Sequence, residues 1–294
     1  MGKCVITDIS ENNKWTNLGV NSLTLLAIAQ YMEATHDTIT YMDLALSLSI
    51  WIAGSQRDDG SFVHDQLVDT NQIDETSYVR NYPGEAAFAL AKLYNVAHRL
   101  GFAQTSNPDV WQKVASSALD HVVQKEAGTE DKKFVNDHWM MYALAEMHEW
   151  HSSDEIIDFA VRTARIAAER QLHSSGTSDE RASEQDRKGI YKNPTSYDLS
   201  SSTTATKSEG LCAIYPVLLK SRPEIAPSVL ESVKLGIRYQ LQTQMRSEQA
   251  MYVKNPRKAS GAFAKSIADK QMRNDYTQHN LASILCLAKL MDNK

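Results

Sequence analysis

Gln56-Arg57-Asp58-Asp59-Gly60-Ser61-Phe62 decides the fold: a glutamine closes a helix, a glycine makes a turn and an aromatic follows. The punctuation recurs. Gln124 precedes Gly128, Gln171 precedes Gly176, and Gln240, Gln242 and Gln244 lead to Gly261-Ala262-Phe263. An apolar helix rich in small residues follows each loop, so the repeating unit is helix, glycine loop, helix. Repeated helical hairpins bury their apolar sides by stacking on one another, and that fixes the architecture.

Working outward, helical periodicity dominates and strand-like alternation is rare. The pattern predicts helices over 18–34, 41–55, 84–100, 109–125, 136–151, 154–172, 205–220, 223–246 and 276–291. Asp109 and Ser153 supply caps, and Pro83-Gly84 separates two segments. Glu85–Tyr94 and Ala282–Leu290 read as one helix written twice, apolar nearly all round as an inner helix must be. The stretch 154–172 instead carries Glu155, Asp158, Arg162, Arg165 and Glu169 on a solvated face. The expectation is a single all-α domain over 1–294, an α/α toroid forming an incomplete (α/α)5–6 barrel of inner and outer helices. Residues 173–206 are polar and read as an insertion loop, either a surface excursion or a lid anchored by Tyr191 and Tyr197.

Composition narrows the function classes. A net charge of -5, a pI near 6.0 and the absence of basic runs with interleaved aromatics exclude nucleic acid as a partner. No apolar run approaches the ~18 residues of a membrane span. Met1-Gly2-Lys3-Cys4-Val5-Ile6-Thr7 has no apolar signal region, and Ile6 stands where myristoylation wants Ser or Thr. Cys4, Cys212 and Cys286 are three, far apart and odd in number, which is the usage of a reducing compartment. A cytoplasmic protein is expected.

The Gln-x3-Gly-x-Phe string resembles the repeat punctuation of terpenoid cyclases and protein prenyltransferases, which share the α/α toroid. Gly261-Ala262-Phe263 followed by Arg273-Asn274-Asp275-Tyr276-Thr277-Gln278-His279 is similar to a prenyltransferase β-subunit. There a glycine-aromatic turn precedes a helix start whose histidine holds zinc. The resemblance implies fold, not reaction. The acidic signature of class II cyclases is not evident, and Asp154, Glu155 and Asp158 read as a capped, solvated helix start. Cys212, Glu209 and His279 stand in only loosely for a zinc set, with no CxxC or HxxxH spacing. No metal is assigned, and zinc stays an open cofactor.

Inner helices begin with polar residues, and these are the candidate site. Glu85, His138, Glu209, His279 and Asp275 are the candidate catalytic residues, the first four expected to point into one mouth of the ring. Asp58, Asp59, Tyr82, Asp137, Trp139, Arg273 and Tyr276 are the candidate substrate-binding residues. Capping alone explains many carboxylates at helix starts, but histidine is not favoured there. Carboxylates across such a mouth suit general acid–base work on a saccharide or similar polar metabolite, with aromatic rings as stacking platforms. Two other readings stay open. One is a terpenoid-type enzyme with an apolar pocket. The other is a non-catalytic module whose last inner helix is covered by a partner domain or a second copy.

Overall fold

The computed structural model describes residues 5–7, 14–105, 107–135, 137–173, 187–192 and 200–292. It is all-α, as the sequence implies. The chain folds as two compact units, residues 1–128 with 139–156, and residues 129–138 with 157–294.

The first unit holds α1 (Leu18–Thr35), α2 (Met42–Gly54), α3 (Tyr82–Leu100) and α4 (Pro108–Ala127). It also takes α5 (His138–Met147) beyond its first residue and the start of α6 (Asp154–Arg170). α1 packs against α2 and α3, and α3 against α4. Gly84 through Ala91 are buried without a break, so α3 is covered on every side. Four alanines in that run permit the close approach. α4 buries Trp111, Val114, Ala115, Ala118, Leu119 and Val123, one stripe at helical spacing, and leaves the rest to water. A short antiparallel pair, β1 (Trp15–Asn17) with β2 (Asp65–Leu67), was not expected from the periodicity.

The second unit is built on α7 (Ser201–Ser221), α8 (Ala226–Gln242) and α11 (Asn274–Asp292), with α7 packed on both others. Two four-residue helices, α9 (Ser247–Ala250) and α10 (Pro256–Ala259), lie between α8 and α11. α7 begins earlier than the predicted 205 because Ser200 caps it, its Oγ accepting from Thr203 N at 3.2 Å.

The glutamine punctuation has a definite geometry. Gln56 Nε2 donates to Gly60 O at 3.2 Å and to Val114 O of α4 at 2.9 Å, and Gln56 bridges Phe62. Gly60 has φ 85°, and a Cβ there would stand 2.4 Å from Ser117 O. In the second unit Gln171 Nε2 donates to Gly189 O at 3.1 Å and to Ser232 O of α8 at 2.8 Å, and Gln171 bridges Tyr191. Gly189 has φ 99°, and its Cβ would meet Leu235 O at 2.0 Å. The glycine that answers Gln171 is therefore Gly189 and not Gly176, which lies outside the described residues. Gln244 bridges Phe263 across Gly261, a third copy. Gly128 is no copy: it caps α4 at φ -88°.

Of the 173–206 segment, Tyr191 is buried, its hydroxyl donating to Ser232 O at 2.8 Å. Residues 201–206 belong to α7, while Tyr197 lies outside the described residues, as does Cys4. Cys212 and Cys286 form a disulfide between α7 and α11, with Cα atoms 6.3 Å apart. That corrects the reading of all three cysteines as free thiols of a reducing compartment. Among the described residues no helix is long and apolar enough to cross a membrane.

Candidate functional site

In the second unit α7 carries Glu209 on a fully covered stretch, Ser208 through Cys212. α11 turns Tyr276, Asn280 and Ser283 inward at i, i+4 and i+7 and sets His279 beside them. Polar contacts hold these helices in register. Gln240 on α8 donates to Ser208 Oγ at 3.0 Å and accepts from Ser283 Oγ at 2.5 Å. Asn280 donates to Ser201 Oγ at 3.2 Å. The disulfide ties the same two helices one turn beyond Glu209 and two turns beyond His279.

Within that frame His279 Nδ1 donates to Glu209 Oε1 at 2.9 Å. The carboxylate only accepts, so the proton of this bond sits on Nδ1 and Nε2 is the basic nitrogen. Glu209 is 1% exposed and His138 is 6% exposed. The His138 ring meets that of His279 edge-on, with centroids 5.2 Å apart. Burial first, then neighbouring His279 and Lys207, hold the His138 imidazole well below its ordinary range, so it is neutral at pH 7. One ligating atom from each of His138, Glu209 and His279 lies within 4.8 Å of the others. A carboxylate behind an imidazole fixes its tautomer and stabilises its protonated form, the arrangement a proton-transferring histidine needs.

Glu85 lies in the first unit. It is buried, and among the described residues its Oε2 has no hydrogen-bond partner. Burial alone pushes its carboxyl up to about 7. The site is narrow: a Cβ on Gly19 would stand 2.7 Å from Glu85 Oε2 and 2.3 Å from the Tyr82 ring. Tyr82 is tilted against His64, whose centroid is 5.6 Å away, and His64 stacks on Tyr78 at 5.2 Å.

Three of the four residues expected to share a mouth thus gather in one unit, and Glu85 belongs to the other. Asp58 and Asp59 line an open groove of about 570 Å³ with Lys113, Asp120, His121 and Gln124 of α4. Asp275 pairs with Arg273, Oδ1 to Nε 2.9 Å, and the guanidinium lies 5.2 Å from the Tyr276 ring centroid. That ion pair at a helix start is the work of Asp275, which is absent from the histidine cluster. Arg273 also lines a groove of about 520 Å³ with Lys254, Lys258 and Lys270. Asp137 sits 3.9 Å from His138 Nδ1, while Trp139 turns to Phe88 and Tyr142 in the first unit. The loose zinc set loses Cys212 to the disulfide. The sequence pattern did not single out the disulfide or the Gln240 bridge. The i+3 spacing of Cys212 from Glu209 and the i+7 spacing of Cys286 from His279 were the available signal.

No protein family matches the sequence, and no curated protein matches it. Among solved structures the chain resembles a metagenome-derived glycoside hydrolase family 9 endoglucanase, at TM-score 0.38 and 11% identity. The match covers 94% of this chain and 68% of that one. A likeness at that level says nothing about chemistry.

Proposed function

We propose that this chain is an enzyme that performs general acid–base chemistry on a saccharide or similar polar metabolite at the Glu209–His279–His138 cluster. The observation that carries this reading is the buried carboxylate–imidazole pair, 2.9 Å long, with a second, neutral imidazole against it. In it Glu209 orients His279, His279 takes and returns the proton, and His138 offers a neutral hydrogen-bonding edge to the substrate. General acid–base groups of this kind contribute roughly 10²–10⁴-fold to rate. The polar character of the cluster favours a hydroxyl-rich substrate over an isoprenoid.

The test is turnover on a panel of neutral and uronate oligosaccharides, followed by product analysis. Glu209→Gln and His279→Gln are expected to lower kcat by about 10²-fold or more with folding intact. Turnover within threefold of wild type in either variant would sink the assignment.

One observation favours the reading of a partner-bound module. α11 exposes Leu281 (47%), Leu285 (59%) and Met291 (47%) within about a third of its circumference. A mass measurement across protein concentrations tests whether a second copy covers that face; a monomer throughout rules that copy out.

A further inference from the structure

We propose that His138, Glu209 and His279 form a binding site for a divalent first-row metal ion, zinc in the first instance. Two imidazoles and one carboxylate are a zinc donor set of the catalytic kind, in which three protein ligands leave one position for water. The spacing suits it. Ligands held 2.0–2.2 Å from a tetrahedral ion stand roughly 3.4 Å from each other. Here Glu209 Oε1 and His279 Nδ1 are 2.9 Å apart, and one ligating atom from each of the three residues falls within 4.8 Å of the others. The cation would replace the proton that Nδ1 shares with Glu209 and release it to solvent.

Burial and bracing point the same way. Removing a carboxylate and two imidazoles from water is costly unless something compensates, and a cation among them does so directly. The ligands come from three helices, α5, α7 and α11, far apart in sequence, so no short metal motif announces them. Two of those helices are locked together by Cys212–Cys286 and by the Ser208–Gln240–Ser283 contacts. Glu209 and His279 are thereby held in place before any ion arrives, the support a metal site requires of its surroundings.

The inference rests on reading this cluster as the reacting centre, and it changes which group carries the proton. Water held on the cation, with its pKa lowered to about 7, would take over from the imidazole.

The experiment uses the full chain, stripped with a chelator and titrated with Zn²⁺ in competition with a chromophoric chelator. Metal content, thermal stability and turnover are measured in parallel. One zinc per chain with sub-micromolar affinity is expected. Glu209→Gln, His279→Gln and His138→Gln should each weaken it by about 100-fold or more, beyond the 10–100-fold typical of supporting residues. Asp58→Asn, in the groove of the first unit, should leave it unchanged. Zinc should raise Tm in wild type and not in Glu209→Gln, and cobalt should give a visible spectrum lost in the same variant. Absence of stoichiometric uptake overturns the proposal, as does uptake equal in wild type and the three variants. Loss of turnover in Glu209→Gln without any metal uptake overturns it too, while leaving the acid–base reading standing. Stoichiometric zinc whose removal leaves turnover untouched supports the site and sinks the proposed function instead.

Discussion

Each unit places a glutamate on a fully covered stretch of helix, and the two have opposite fates. Glu209 on α7 meets His279 at 2.9 Å, with a disulfide and a glutamine bridge holding the partner helix in place. Glu85 on α3 has an oxygen with no partner among the described residues and a carboxyl pushed up to about 7. Two buried glutamates therefore yield a paired group in one unit and an isolated acid in the other. A buried glutamate is informative through its neighbours, not through its burial.

The contrast can be broken by stability measurements, and the chain carries its own reporter. Its five tryptophans, Trp15, Trp51, Trp111, Trp139 and Trp150, all belong to the first unit. Tryptophan fluorescence thus follows Glu85's surroundings, while far-ultraviolet circular dichroism follows both units. The largest effect should come from the brace. Closing a loop of 74 residues is worth about 4 kcal/mol by chain entropy. The Cys212→Ser, Cys286→Ser double variant should lower stability by about that amount in urea unfolding, chiefly in the dichroism transition. A change under 1 kcal/mol would show that the disulfide does not tie α7 to α11 in solution.

Glu209→Ala comes next. Removing one member of a buried pair costs about 3 kcal/mol, because its partner is left without compensation. Equal stability in this variant would mean that the pair contributes nothing to the fold.

Glu85 should behave in the opposite sense. Its folded pKa, about 7, lies above the ordinary carboxyl value of 4.5, so the folded state binds the proton more tightly than the unfolded chain. The corresponding stability is fully present below pH 4.5 and is lost as pH rises through 7. At pH 8 Glu85→Gln should therefore raise stability by about 3 kcal/mol, with little effect at pH 4. Destabilisation at pH 8 would show that Glu85 is ionised and satisfied in the fold. The same Glu→Gln change at 209 should not stabilise at either pH.

The legibility of the chain follows the same division between local and distant contacts. The loop at Gln56 is compact, so glutamine, glycine and aromatic stand in one string and the turn is readable. At Gln171 the partner glycine is deferred to Gly189, and the nearer Gly176 misleads. Glu209, His138 and His279 were legible as polar residues where apolar ones are expected. Their meeting depends on three helices coming together, which no local spacing states. The disulfide was hidden for that reason, since its cysteines stand 74 residues apart and only their phase relative to Glu209 and His279 hints at a shared face. Glu85's isolation was illegible because an absent partner leaves no mark in a sequence.

The two glutamine locks carry a consequence for how this chain can change. Between Gln56 and Gly60 stand three residues, 57–59; between Gln171 and Gly189 stand seventeen, 172–188. Yet each glutamine spans its glycine carbonyl and a carbonyl of the next outer helix in the same way. The clasp tolerates cargo. Chain length can be added at such a junction without disturbing the helices on either side, which makes the loops between glutamine and glycine the places where this architecture accepts a new segment, a tag or a whole domain.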